Sequence, residues 1–466
     1  MRIALVHYHL RRGGVSTVIR HQAQALSEAG IEVLIIAGEK PPEDLEFPFA
    51  LVEGLKYTAL PEGEPDGEGL ANAIIAAMEA HWGLAADVLH VHNPLIQKNA
   101  LLIPALKILG LRGVRLFLQN HDLAEDFRPD VYAGRFEYPE NCHYGVINSR
   151  DYLYLHRAGL KTEGLHLIPN EVVPLTAAPG LERTRYLYPV RAIRRKNIGE
   201  ALLLSLFIPR GRTVALTLPP QDKNNPVYRR WVNLAAELGL PVEFALGETH
   251  SLEELLGSAV CVLTTSVKEG FGFSFLEPWT AGLSLIGRRI DYVCRDFEAA
   301  GVRFDALYNG IEIPADYVSL LMLKKKMEST VKQVYEAFAL TVPSHISQMM
   351  ADDLGSQKTF DFGRMDEELQ ESVIRTLYSN ETVFQDVLAA NPFLKSFAAW
   401  KPDENLIASN KNVIGENYGG NKILEMLLDI YRSVIDIPVT QKISKSLLLD
   451  MYLDPLRFSL VGVGNG

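Results

Sequence analysis

Apolar residues in the first half of the chain come in short unbroken runs. Each run is followed by a polar or glycine-rich turn and then by apolar positions at helical spacing. Arg2–Tyr8 (RIALVHY) reads as a buried strand, and LRRGGVS as the turn after it. Val15, Val18, Ile19, Leu26 and Ala29 then fall on one helical stripe that Gly30 closes. IEVLIIAG supplies a second buried strand. Unbroken apolar strands separated by helices predict a parallel sheet covered on both faces. DVLHVHN (87–93) and VRLFLQNHD (114–122) read as further strands with polar carboxyl ends. KNALLIPALKILG reads as a helix despite Pro104, and YGVINS and LHLIPNEV as the last two strands of this half.

A second series opens near Tyr186. RYLYPVRAIRRKN, TVALTLP, VEFALG, VCVLTTSV and LSLIGR read as strands, with helices from about Ile198, in PVYRRWVNLAAELGL and in SLEELLGSA. The predicted fold class is therefore α/β, with two doubly wound, Rossmann-like domains facing across a cleft. Pro174–Glu182, rich in proline, glycine and small residues, reads as the linker. From about Ala315 the strand signals fade, and DYVSLLMLKKKMESTVKQVYEAFAL, DEELQESVIRTLYSNETVFQDVLAA and NKILEMLLDIYRSVI read as helices. The expected spans are 1–176, 177–415 with a helical insertion, and 416–466 as a helix returning toward the first domain plus a tail. The last thirty residues carry no clear pattern.

Composition narrows the function classes. The 466 residues are 47% hydrophobic and 22% charged, ordinary for a globular chain with large cores. The net charge of −11 argues against a nucleic-acid partner. Three cysteines with no CxxC spacing suit a reducing cytoplasm better than a disulfide framework. MRIALVHY lacks the features of a signal peptide, and no apolar run approaches a membrane span; peripheral contact with a membrane stays open. LKILGLRGVRLF has a basic-apolar character that suits a membrane patch, but helix–turn–strand core fits it better. His90 and His92 share one strand face without a third ligand at zinc spacing, and no metal site is expected.

The polar residues that break the pattern cluster after strands, where open α/β sheets bind ligands. In TSVKEGFGFSFLEPWTAG, Glu269 and Glu277 flank a Gly270-Phe271-Gly272 turn that follows an apolar run. Glycines let a backbone approach a ligand, and Pro278 places a helix start close to Glu277. A carboxylate there can accept hydrogen bonds from vicinal hydroxyls, as on a ribose, and Glu269 can do the same for a sugar ring. A diphosphate between the two needs cations, which Arg191 and Lys196 in VRAIRRKN supply. The bland alternatives are a surface acidic pair and a solvated basic run. Arg194 and Arg195 suit the solvated reading. Gly13-Gly14 after the first strand can be plain turn geometry, and His121 in QNHD a hydrogen-bonded structural histidine that Asp122 orients.

EGFGFSFLEPWTAG resembles the signature of retaining, family 4 nucleotide-sugar glycosyltransferases with the GT-B fold, in which two glutamates are separated by seven residues. VRAIRRKN is similar to the family's arginine–lysine segment, although Pro189 and Val190 stand where the family has glycine. RRGGVSTVIRHQAQAL resembles its N-terminal glycine loop and first helix, and LIPNEV its interdomain strand. The resemblance covers roughly residues 1–290 and, more weakly, the helix near 420–435. It implies an acceptor domain at the N-terminus and a nucleotide-sugar domain after it. It implies that Glu277 holds the donor ribose, that Glu269 and the backbone of Gly270–Gly272 hold the donor sugar, and that Arg191 and Lys196 hold the diphosphate. It implies that His121 touches the transferred sugar and that Gly13 and Gly14 approach the phosphates or the acceptor.

The expected activity is metal-independent transfer of a hexose, with retention, from an NDP-sugar such as UDP-glucose or GDP-mannose to an acceptor hydroxyl. The acceptor is expected to be small and soluble, and no cofactor beyond the donor is expected. Two alternatives keep the fold: a sugar-nucleotide epimerase or phosphorylase, and a silent nucleotide-sugar-binding protein.

Overall fold

A computed structural model describes residues 1–41, 45–59, 65–134, 136–398, 400–454 and 458–463, and the side chains of all of these but 351, 353 and 398. The chain divides into two compact units. Unit 1 is Met1–Val172 with Glu416–Leu453, and unit 2 is Val173–Gly415 with Asp454–Gly466.

Unit 1 is built on seven parallel strands: β1 (Arg2–His7), β2 (Glu32–Ala37), β3 (Phe49–Leu51), β4 (Val88–His92), β5 (Leu116–Asn120), β6 (His143–Val146) and β7 (Leu165–Leu167). They lie in the order β3-β2-β1-β4-β5-β6-β7. The unbroken apolar runs are the central strands: every residue of β4 and β5 is buried, as a parallel sheet with two covered faces requires. One face carries the helices Gly14–Glu28 and Gly420–Asp436, whose Ile19, Leu26, Leu427 and Tyr431 share one core. The other carries Glu68–Trp82, Leu102–Leu111, Ser149–Arg157 and Lys445–Tyr452. The helix Leu102–Leu111 tolerates Pro104 because the proline stands in its first turn. In LKILGLRGVRLF, Leu106, Leu109, Leu116 and Phe117 are core residues, whereas Leu111, Arg112, Gly113 and Arg115 are exposed, so the stretch is a helix–turn–strand with one buried face. The stripe on Gly14–Glu28 differs from expectation: Ser16, Gln22 and Ala23 join the buried face, and Ala29 lies beyond the helix.

Unit 2 repeats the plan with β8 (Arg185–Arg191), β9 (Thr213–Leu218), β10 (Val242–Glu243), β11 (Ala259–Thr264), β12 (Leu285–Arg288) and β13 (Leu307–Tyr308), all parallel, in the order β10-β9-β8-β11-β12-β13. VEFALG keeps only two strand residues. β10 pairs with β9 alone, and the chain turns away at Ala245 (φ 61°). Around the point near Ala315 where strand signals fade, the chain still forms a short antiparallel pair, β14 (Glu312–Pro314) with β15 (Thr359–Asp361). Three-residue strands carry no periodicity to read. DEELQESVIRTLYSNETVFQDVLAA is two helices, because Asn380 breaks it and caps the second by accepting from the amides of Thr382 and Val383.

This extra region is tied to the sheet by a buried charge network. The Arg288 guanidinium, at the end of β12, donates to Glu200 Oε2 at 2.6 Å and Asp361 Oδ1 at 2.7 Å, and Tyr308 donates to Glu200 Oε1 at 2.7 Å. The tail returns to unit 2: the Leu460 amide donates to the Arg364 carbonyl at 3.1 Å, and Arg194 donates to the carbonyls of Leu460 and Val463. All three cysteines are free and buried. Among the described residues, no helix is long and apolar enough to cross a membrane.

Unit 1 buries an unusual number of imidazoles. His90 bonds Tyr431 Oη at 2.8 Å and Gln119 Oε1 at 3.0 Å, and Gln22 donates to the same oxygen at 3.1 Å. The face that His90 and His92 share is thus a hydrogen-bonded seam tying Gly14–Glu28, β4, β5 and Gly420–Asp436. Burial pushes His7 and His90 down to about 3, His121 and His166 to about 4, and His92 well below the ordinary histidine value. The folded chain therefore binds fewer protons than the unfolded chain below the ordinary value of roughly 6.5. The stabilisation is complete above that pH and is lost as pH falls toward the folded values. Glu125, pushed up to about 7 by burial, opposes this with a single proton. Unit 1 is expected to lose stability steeply between roughly pH 6.5 and 4. Hydrogen exchange of β4 and β5 amides across that range reads it; unchanged protection would contradict it.

Candidate active site

The strand order of unit 2 turns at β8 and β11, which are neighbours whose outward connections run to opposite sides. A crevice for ligands opens outside the carboxyl ends at such a point. β8 ends at Arg191 and β11 at Thr264, so VRAIRRKN and the glutamate segment leave the sheet side by side. Side chains pin the two loops together. The Lys196 carbonyl accepts from Tyr188 Oη at 2.9 Å and from Thr265 Oγ1 at 3.0 Å, and Tyr188 Oη also bonds Ser266 Oγ at 2.8 Å.

On this frame the Lys196 ammonium forms an ion pair with Glu269 Oε1. Their side chains are only 13% and 9% exposed, so neither charge has water to fall back on. Arg195 Nη1 stands 3.9 Å from Glu269 Oε2. Burial alone would raise the Glu269 carboxyl. The nearby Lys196 and Arg195 charges outweigh it and hold the group below its ordinary value. Its backbone is clamped as well: the Glu269 amide donates to Tyr292 Oη at 3.1 Å, and the Tyr292 hydroxyl donates to the Glu269 carbonyl.

The turn that follows needs its glycine. Gly272 has φ 93°, and a Cβ there would lie 2.5 Å from Val293 Cγ1. Phe271 is buried against Phe273 and Phe297, which fixes the turn from inside, while Gly270 is half-buried. Glu277 is the first residue of a four-residue helix, Glu277–Thr280, with Pro278 behind it. Burial raises the Glu277 carboxyl. No side-chain or backbone donor among the described residues bonds it, in contrast to Glu269. Arg191 is exposed; its guanidinium donates to the Pro219 carbonyl at 3.0 Å and pairs with no described carboxylate.

Unit 2 therefore brings Lys196 and Glu269 into direct contact, on loops that also carry Arg191, Gly270, Phe271, Gly272 and Glu277. Gly13, Gly14 and His121 belong to unit 1. Gly13 has extended φ and caps the helix Gly14–Glu28 without a side chain. A Cβ on Gly14 would meet nothing within 4 Å, so local packing does not demand glycine there. His121 follows β5 and is 7% exposed, with Nε2 3.2 Å from His92 Nδ1. Asn93, in the left-handed region at φ 59°, accepts from the amides of His121 at 2.8 Å and Asp122 at 2.9 Å, fixing that turn.

Three residues escaped the sequence reading. Arg194 is not free in solvent but part-buried in a structural pair with Glu367. Arg195 belongs to the Glu269 environment, and its place directly before Lys196 was the available signal. Tyr292 had none, since it reaches Glu269 from 23 residues away. Among the described residues, no three His, Cys, Asp or Glu side chains are grouped to hold a metal ion.

Residues 13–170 match the model of the Glycosyl transferase 4-like domain. The chain is 23% identical over 379 residues to mannosylglucosyl-3-phosphoglycerate synthase of Petrotoga mobilis, covering 71% of this chain and 72% of that protein. Similar folds include Anabaena Alr3699/HepE in complex with UDP and glucose (TM-score 0.53, 12% identity, 93% of this chain and 100% of that one). They also include a glycosyltransferase from Rickettsia africae ESF-5 (TM-score 0.55, 12% identity, 94% and 99%). Residues 13–170 thus carry a Glycosyl transferase 4-like domain, and together with the two Rossmann-like units and these relatives this supports a glycosyltransferase of the family 4, GT-B type.

Proposed function

We propose that the protein transfers a hexose from an NDP-sugar to a hydroxyl of a small soluble acceptor, with retention and without a metal, in the cytoplasm. The observation that carries this reading is the contrast between the two glutamates. Glu269 is satisfied by Lys196, whereas Glu277 is a part-buried carboxylate without a protein donor among the described residues. Such a group gains from accepting the hydroxyls of a ribose. Arg191, exposed and without a carboxylate partner among the described residues, is the cation left to meet a diphosphate.

In this reading the bond between the sugar C1 and the β-phosphate oxygen breaks. The acceptor oxygen forms its bond to C1 on the same face, and the acceptor proton passes to the departing diphosphate. Arg191 and Lys196 stabilise the charge that grows on that diphosphate. Glu269 and the Gly270–Gly272 backbone hold the sugar, with Phe271 buried beneath the turn. His121 meets the transferred sugar, and Gly13 and Gly14 meet phosphate or acceptor. The Petrotoga relative is named for a product that joins two hexose units to 3-phosphoglycerate. An acceptor of that chemistry, a glycoside carrying phosphate and carboxylate, suits this chain.

The test is an assay of NDP-sugars with and without acceptor, read by NMR of the anomeric protons. Acceptor-dependent NDP release with the donor's anomeric configuration in the product is expected; isomerised donor or a strict phosphate requirement would contradict it. Arg191→Ala is expected to lower kcat by about 10²–10³, as loss of a donor to a developing anion does. An unchanged kcat would remove Arg191 from the reaction. Tyr292→Phe loses the clamp on the Glu269 backbone. It is expected to lower kcat/KM for the NDP-sugar by about tenfold while leaving the Kd of the free NDP unchanged. Equal losses in both measurements would make Tyr292 a general structural residue.

A further inference from the structure

Basic side chains in unit 1 gather around one phenol. Tyr57 follows β3, and its hydroxyl lies 3.0 Å from His9 Nε2. Lys98 Nζ stands 5.2 Å from the centroid of its ring. Burial raises the phenol's ionisation, and two opposed pairs act on it: Arg11 and Arg128 lower it, and their partners Glu39 and Asp122 raise it. These cations come from separate connections: Arg11 follows β1, Lys98 follows β4 and Arg128 follows β5. β4 lies between β1 and β5, and the strand order of this sheet turns between β1 and β4. That is where a doubly wound sheet offers a ligand crevice.

The pairing within the cluster is uneven. Arg11 is paired with Glu39 and Arg128 with Asp122, each through an exposed or half-exposed side chain. Exposed pairs of this kind are weak and readily exchanged for a better anion. Lys98 has no carboxylate partner among the described residues, and its ammonium rests only on the face of Tyr57. With Arg11 and Arg128 each matched by a carboxylate, the cluster keeps one cation in excess, Lys98, beside an exposed tyrosine at a switch point, in a chain of net charge −11. A phosphate monoester suits the cluster: guanidinium groups bind it in a fork, and a lysine acts as a point charge.

We propose that the cluster centred on Lys98 and Tyr57, with Arg11 and Arg128, is the subsite that holds the phosphoryl group of an anionic acceptor. This rests on the reading of the reaction given above and adds the residues that choose its acceptor. Lys98 is then a specificity determinant: it acts on the acceptor's phosphate and leaves donor binding alone.

The test compares transfer to glucosyl-3-phosphoglycerate with transfer to the same glycoside lacking its phosphate. Lys98→Ala is expected to lower kcat/KM for the phosphorylated acceptor about 10- to 100-fold. It should leave the dephosphorylated acceptor and the donor KM unchanged, with Lys98→Arg recovering most of the loss. An equal loss on both acceptors, or no loss on either, overturns the assignment. Calorimetric titration of the full chain with 3-phosphoglycerate reads the site without turnover, with a melting curve of each variant as the check on folding. Binding that Lys98→Ala weakens supports the subsite even if no NDP-sugar is consumed, in which case the reading of the reaction fails alone. Active transfer that ignores the acceptor's phosphate sinks the subsite and leaves the reaction standing.

Discussion

The Glu269 carboxylate is buried, and it is tolerable there only because the Lys196 ammonium sits against it. Breaking a buried pair by removing one partner typically costs about 3–5 kcal/mol, since the other charge is stranded. The surroundings are organised to keep the two together. Tyr188 and Thr265 hold the lysine's backbone, and Tyr292 holds both polar groups of the glutamate's peptide. The same loops carry Arg191 and Glu277, so a contact between two side chains fixes where an unpaired cation and an unpaired carboxylate stand.

Those two unpaired charges give the site its use. A closed ion pair needs nothing further, whereas Glu277 is part-buried with no donor among the described residues, and burial raises its carboxyl. Hydroxyl groups relieve that condition without bringing a charge. The placement follows from chain order: parallel strands deliver their connections to one edge of the sheet, and the turn of order at β8 and β11 separates the flanking connections there. Unit 1 uses the same geometry at β1 and β4, where its glycine pair and basic cluster lie, over a core sealed by the seam from His90 to Tyr431.

Much of this was legible in the sequence because burial leaves a period. The apolar runs of β1, β4, β8 and β11 and the stripes of the main helices are direct consequences of two covered sheet faces. The Glu269–Glu277 segment was legible because glycine, proline and carboxylates rarely coincide after a buried run. β3, β13 and β15 were not, being two or three residues long. Arg194 read as solvated because its partners, Glu367 and the carbonyls of Leu460 and Val463, lie more than 170 residues away. The Tyr292 clamp and the gathering at Tyr57 are likewise products of folding, since each joins side chains that no local pattern connects.

The central claim is that Glu277 is kept without a protein partner in order to bind a nucleotide's ribose. Calorimetric titration of UDP, GDP and ADP into the wild type and Glu277→Gln tests it most directly, because the substitution keeps shape and removes charge. The account predicts that one nucleotide binds the wild type and loses at least about tenfold in affinity in the variant, with its melting temperature not lowered. Equal affinity for both proteins would contradict it.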